Sequence, residues 1–252
     1  MPEITIVDLV RNGTLNAEMA AVLWAAVDER QSFLTVAVPR FAGKTTTSNA
    51  ILAMRPAEMP AYLVAGEPDV MERLTRERRG GYLVVAEFAP APVPGYIWGA
   101  PVRRVFETVH AGGYALQTAL HAPGVDEAIV EVTRGNGVSD EQASIFKLVI
   151  YIERFGTNLG NYWRRITDLY EVYEVRSGRP VGQSLFQWRA DGDRFEKRSE
   201  PSQFGLDRGD LGRRAAVIED LARTGKSSPE EVNSAVSTYR NSILTGRNLT
   251  NS

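Results

Sequence analysis

The stretch from Phe33 to Thr46 narrows what this chain can fold into more than any other part of it. Phe33–Val38 (FLTVAV) is a run of β-branched and apolar residues and reads as a strand buried on both faces. The loop Pro39-Arg40-Phe41-Ala42-Gly43-Lys44-Thr45 follows, and TTTSNAILAM, ending before Pro56, reads as a helix. Strand, short loop with Gly-Lys-Thr, then helix is the setting in which a phosphate loop works. Gly43 lets the backbone approach an anion, and the amides of Ala42 to Thr46 form a nest at a helix N-terminus. Lys44 is placed to neutralise terminal phosphates and the Thr45 hydroxyl to hold Mg2+. The same residues also describe a plain strand–turn–helix. Val38 stands where the pattern asks for glycine, and its β-branch resists backbone angles that glycine reaches freely. Pro39 removes an N–H, Phe41 is bulky, and Arg40 adds charge in compensation. The expectation is a phosphate site that binds more weakly than an intact loop.

Around this unit, strands and helices alternate. Asn16 caps a helix whose apolar face is Met19, Val22, Leu23, Ala26 and Val27. Tyr62–Ala65 reads as a strand, Val70–Arg79 as a charged helix and Tyr82–Phe88 as a buried strand carrying Glu87 near its end. A proline-rich loop, Ala89–Ala100, precedes a helix started by Pro101 and stopped by Gly112-Gly113, and YALQTALHA forms a strand ending at His121. Helical pieces follow at Val125–Thr133 and from Ser139, where Ser139 and Gln142 make a capping-box pattern. From Leu148 the texture is β-rich, with Asp191-Gly192 as a hairpin turn, and after Pro201 it is helical, with helices at Asp210–Arg223 and from Ser228 to about Leu244. The expected fold class is α/β: a mostly parallel sheet flanked by helices, then a β-rich meander and a short helical tail. The expected division is a lead-in strand and helix (1–30), a core (31–200) and a helical tail (201–252).

Composition excludes several chemistries. The chain has no cysteine and two histidines, His110 and His121, which removes thiol catalysis, disulfides and His-rich metal sites. A net charge of −2 gives no reason to expect nucleic acid as a partner. No apolar run is long enough to span a bilayer: Tyr82–Trp98 is broken by Glu87 and several prolines. The acidic start MPEITIVDLV is unlike a signal peptide, so the expected location is the cytoplasm, and the glycosylation-like triplets at Asn12 and Asn248 are read as chance.

Three titratable residues sit at C-terminal strand ends, the edge where open α/β sheets bind ligands. Glu87 is where a phosphate-transfer enzyme keeps a carboxylate for Mg2+, through water, or for the attacking water. Taken singly, Glu67 is a turn residue and His121 a structural histidine. Their shared position is the signal.

In order, these pieces resemble the secretion and traffic ATPases of type II and type IV secretion, pilus and conjugation machines. GKTTTSNAIL (Gly43–Leu52) is similar to that family's phosphate loop and helix, and YLVAGEPD (Tyr62–Asp69) to its acidic box. GYLVVAEF (Gly81–Phe88) resembles its Walker B strand and GGYALQTALHA (Gly112–Ala122) its histidine box. Val149–Phe155 and Arg164–Val175, with an RR(V/I)T(E/D) run at Arg164–Asp168, look like its late strands, so the likeness spans Ile4 to Glu200. It implies a P-loop NTPase of RecA-like fold with ATP and Mg2+ as cofactors. Arg40, Phe41, Ala42, Gly43, Lys44, Thr45 and Thr46 would bind nucleotide, Thr45 and Glu87 would serve the metal, and Glu87, Glu67 and His121 would be catalytic. It further implies a homo-oligomer, a hexameric ring if a motor, at the cytosolic face of a membrane secretion or pilus platform, without insertion into the membrane. The chain departs from the family at Val38, in the short spacing from Glu67 to Glu87, and in Phe88-Ala89-Pro90, where an arginine is usual. Arg103 and Arg104 are the nearest substitutes. The alternative is a degenerate, non-hydrolysing relative that acts as an assembly or regulatory partner. A GTPase is set aside, since no Asn-Lys-x-Asp motif is present.

Overall fold

The computed structural model describes residues 3–38, 41–158 and 160–250. Two helices, α1 (Ile6–Arg11) and α2 (Ala17–Asp28), lead into β1 (Ser32–Val36) and α3 (Lys44–Ala53). Then come β2 (Ala61–Leu63), α4 (Pro68–Glu77), β3 (Tyr82–Val84), β4 (Glu87–Phe88), β5 (Tyr96–Ile97), α5 (Ala100–Gly112) and β6 (Ala115–Leu120). Past α6 (Val125–Val130), a π-turn at Glu131–Gly135 and α7 (Asp140–Ala143), the chain forms β7 (Phe146–Asn158), β8 (Asn161–Arg176), β9 (Arg179–Arg189) and β10 (Arg194–Lys197). It closes with α8 (Arg208–Thr224) and α9 (Pro229–Thr250).

Local chemistry sets many of these boundaries. Asn16 Oδ1 accepts from Met19 N at 2.9 Å, and Ser139 and Gln142 form the expected capping box. The lead-in is not a strand and helix but two helices. Thr5 and Asp8 build a second capping box, and Ile6, Val7 and Leu9 bury the short helix α1 that it starts. The Tyr82–Phe88 strand is also not continuous. It ends at Val84, and after a bend at Ala86 the chain resumes as β4, paired with β5 from within the proline-rich segment. The expected loop thus contributes a strand, because pairing with β4 satisfies backbone groups that a buried loop would leave open.

Among the described residues the strands run β10-β9-β8-β7-β1-β6-β3-β2, with β4 joined to β6 and β5 to β4. β7, β1, β6, β3 and β2 are parallel, and β7 to β10 are antiparallel, so parallel core and meander form one sheet. Alternate residues of β1 feed opposite cores. Phe33 packs with α1, α2, α3, α8 and α9, while Leu34 and Val36 pack with α4, α5, α6 and α7. From β1 the chain leaves through α3 on one face to the far edge, and from β6 it leaves through α6 and α7 on the other face to β7. Connections that part in this way open a crevice at the C-terminal ends of β1 and β6.

The tail helices complete the first face. Leu211, Ala215, Ile218, Leu221, Val232 and Val236 join the same core as α2. Arg214 lies 4.7 Å over the Trp24 ring and pairs with Asp28 and Asp210, and Arg240 adds a second pair to Asp28. The connector into the tail is held by Glu171, whose carboxylate is fully buried and accepts from Ser202 N (2.8 Å), Ser202 Oγ (3.0 Å), Gln203 N (2.9 Å) and Gln183 Nε2 (2.9 Å). No described helix is long and apolar enough to cross a membrane.

Replacing Glu171 with Ala removes the shared acceptor of the Ser202 and Gln203 amides, so Glu171→Ala is expected to lower unfolding free energy by about 1–3 kcal/mol in urea titrations, with Glu171→Gln intermediate. A second expectation concerns Asp168. Burial raises its carboxyl above the ordinary 3.8, and the Ser184 hydroxyl, donating at 2.7 Å, pulls it partway back. The native state then holds this proton more tightly than the unfolded chain. Its contribution to stability therefore falls as pH rises from 3.8 through the raised native value. Asp168→Asn should flatten that fall and raise the neutral-pH melting temperature by about 2–4 °C, read from melts at stepped pH.

Candidate functional site

The crevice predicted by topology is occupied by the Gly-Lys-Thr segment. β1 runs into Ala37 and Val38, and Gly43, at φ +98°, takes the N-cap position of α3. Glycine is needed there, since this left-handed geometry strains any residue with a Cβ. Gly43 has no side chain to cap the helix, so the first-turn amides of α3 are left to an external acceptor. Buried Thr35 and Ser48 fix the helix to β1 through a 2.8 Å hydroxyl pair. Phe41 sits at φ +63° and is 75% exposed at the mouth of the crevice. Arg40, counted with the loop on sequence, lies outside the described residues.

Lys44 opens α3 and turns inward, 7% exposed. Its Nζ lies 3.0 Å from His121 Nε2 and 3.5 Å from Glu87 Oε2. Burial pushes the Lys44 ammonium below its ordinary value, and the Glu87 carboxylate draws it back. His121, just past β6, sets its Nδ1 at 2.9 Å from Val38 O, which makes Nδ1–H the donor there, while the Lys44 ammonium, which can only donate, faces Nε2 as an acceptor. Nε2 is then unable to donate to Glu87 Oε1, although the two are 3.0 Å apart. Glu87 Oε1 is accordingly a buried carboxylate oxygen without an aligned hydrogen bond. Bringing Glu87 there depends on the bend at Ala86, which passes the chain from β3 to β4.

These groups line a cleft of about 760 Å³ together with Phe41 to Thr46, Val93, Tyr96 and Arg164. Thr45 is exposed along it. A hydroxyl and an orphaned carboxylate oxygen are hard donors that suit Mg2+. Among the described residues no group of three or more His, Asp or Glu forms a cage, so such an ion would complete its shell with water and ligand oxygens.

The structure gathers Lys44, Thr45, Glu87 and His121, but it does not gather Glu67. That residue is exposed at the N-cap of α4, accepts from Ala65 N at 2.9 Å and does not line the cleft. It follows β2, three strands from β1, roughly 14 Å across the sheet. Arg103 and Arg104 are not substitutes for missing site arginines either, being bound to Asn136 O (2.8 Å) and Gly66 O (2.9 Å). The arginine at the cleft is Arg164, from β8, whose Nη2 donates to Phe41 O at 3.0 Å. Its place in an arginine-rich strand gave no pointer to the cleft, since 123 residues separate it from Phe41.

No protein-family model matches this sequence. Two proteins of Methanocaldococcus jannaschii are similar to it. Uncharacterized protein MJ1287 is 24% identical over 210 residues, 75% of this chain and 77% of that one. Uncharacterized protein MJ0900 is 27% identical over 219 residues, 76% of this chain and 38% of that one. Among solved structures, the VirB11 ATPase of the Brucella suis type IV secretion system, in complex with sulphate, resembles it at a TM-score of 0.44 and 13% identity, over 61% of this chain and 52% of that one. The Legionella pneumophila ATPase DotB does so at a TM-score of 0.37 and 13% identity, over 85% of this chain and 54% of that one. The chain thus spans about half the length of these solved chains. Likeness at this level does not transfer a function.

The geometry at Gly43 is directly testable. A Cβ there would lie 2.9 Å from Arg164 Cδ and Nε, in addition to the backbone strain. Gly43→Ala is expected to cost about 1–2 kcal/mol in denaturant titrations.

Proposed function

We propose that this chain binds ATP with Mg2+ in the cleft at the C-terminal ends of β1 and β6, and hydrolyses it. The observation that carries the reading is the convergence of Lys44, Glu87 and His121, from the start of α3, the start of β4 and the residue past β6, at the open N-terminus of α3. The amides from Ala42 to Thr46 would receive phosphate oxygens, and Lys44 would exchange Glu87 for them as its counter-charge. Thr45 would take a place in the Mg2+ shell, with Glu87 acting on that shell through water. Freed from Lys44, Glu87 would orient and polarise the attacking water, and His121 Nε2 would report on the terminal phosphate. The order of motifs further supports a role in a type II or IV secretion or pilus-like machine, as an oligomer working at the cytosolic face of a membrane platform.

A second reading is a non-hydrolysing relative that serves assembly or regulation. It is favoured by Glu67 lying outside the cleft and by Arg103 and Arg104 being committed to backbone carbonyls.

Calorimetric titration with Mg-ATP separates these readings. The wild-type chain should bind, and Lys44→Ala should weaken binding roughly ten- to hundredfold. Glu87→Gln should keep binding while slowing phosphate release by about 10²–10⁴. Binding without phosphate release by the wild-type assembly would select the second reading. No binding by the wild-type chain would defeat the first reading and leave the second.

A further inference from the structure

Arg164 is the group at the cleft whose surroundings do not account for it. Its stem lies against the Gly43 backbone, so close that a Cβ on Gly43 would meet Arg164 Cδ and Nε at 2.9 Å. Its Nη2 reaches Phe41 O at 3.0 Å and Tyr162 Oη at 3.5 Å, and its guanidinium lies 4.8 Å over the Tyr162 ring, which Arg154 approaches at 5.4 Å. Arg164 Nε is buried and has no hydrogen-bond partner. Among the described residues it has no ion pair, whereas Arg165 beside it pairs with Asp193 at 2.6 Å. A guanidinium carries five N–H donors and stays charged, and here its buried Nε is left without an acceptor. Here its neighbours are of like sign: the positive end of α3, and Lys44, which shares the cleft. The carboxylate that faces this space, Glu87, is already spoken for by Lys44.

From this we infer that Arg164 is a phosphate-positioning residue of the same cleft, supplied from the antiparallel part of the sheet, and that the anion it lacks is the phosphate chain of the nucleotide. The inference rests on the nucleotide reading given above. One Nη holds the loop through Phe41 O, and the remaining donors grip the ligand, so that loop shape and ligand charge are joined in one side chain. Because β8 pairs with β7, and β7 with β1, the arginine approaches the loop from the side opposite Glu87 and His121, which come from the β3–β6 side. The bound phosphates would lie between them.

The test is calorimetric titration of Mg-ATP and Mg-ADP into the full chain and its Arg164→Ala, Arg164→Gln and Arg164→Lys variants, with thermal melts of each. Arg164→Ala and Arg164→Gln should lose roughly ten- to hundredfold in ATP affinity and Arg164→Lys should recover part of it, with melting temperatures close to wild type. The Gln and Lys variants separate charge from loop anchoring: both give up the Nη2 donor to Phe41 O, and Lys alone keeps the charge. Wild-type affinity in Arg164→Gln would overturn the inference and leave Arg164 as a loop anchor. If Arg164→Ala does not fold, the Gln and Lys variants, which retain the stem, decide the matter. Binding lost in Lys44→Ala yet unchanged in every Arg164 variant would overturn this inference and spare the nucleotide reading, and absence of wild-type binding would overturn both.

Discussion

A buried ammonium at the start of α3 sets the terms for the centre of this molecule. Lys44 is nearly out of water, and an unpartnered cation in that position costs several kcal/mol. It is tolerated because Glu87 and His121 are delivered to the same point by neighbouring strands, and each delivery makes its own demand on the fold. β6 must lie beside β1 to place His121, β3 must lie beside β6, and the chain must bend at Ala86 and recruit β5 to set Glu87 inward. The parallel strand order and the irregular proline-rich segment are thus two parts of one solution. The partnership is incomplete, since Glu87 Oε1 has no aligned donor while His121 gives its ring proton to Val38 O. The cluster is thus left one interaction short, at an oxygen that faces the cleft residues.

The antiparallel strands add a second layer of control to the same place. They extend the sheet past β7, and that extension carries Arg164 back to the loop after β1. Farther along, the β9–β10 turn is bound to β8 through Asp193, which accepts from Arg165 and from Trp188 Nε1 and is thereby held at a pKa of about 2. The buried Glu171 then fastens the connector that leads to α8. The tail closes over α2, a helix apolar on nearly every side and therefore in need of cover on the face turned away from the sheet. Arg214 and Arg240 supply that cover with charge, by stacking on Trp24 and meeting Asp28 at its end.

What was legible in the sequence shares a physical character: it is local. Asn16, Ser139 with Gln142, Pro101 and Gly112-Gly113 act within a turn of themselves, and the elements they bound formed where expected. The capping box of Thr5 and Asp8 is equally local, yet the apolar residues after it also read as a strand. Periodicity alone does not separate a short helix from a short strand. Glu87, Lys44 and His121 were legible because the strand–loop and strand-end positions that carry them obey a general rule of open α/β sheets. The same rule included Glu67, which ends a strand too, but at the sheet edge, where the crevice does not reach.

By itself, then, the sequence determined the run of helices and strands, the strand–loop–helix setting of Gly43 and Lys44, and a set of residues along the sheet's C-terminal edge. Those follow from hydrophobic period, capping and backbone freedom, all of which act over a few residues. Tertiary structure alone decided which strand-end groups meet. It placed Glu87 and His121 on Lys44, sent Glu67 to the edge, tied Arg103 and Arg104 to distant carbonyls, and brought in Arg164 from 123 residues away. The reason is the order of the strands. Neighbours in a sheet are fixed by the crossing of connections between its two faces, and residues close in space across those crossings bear no fixed spacing along the chain.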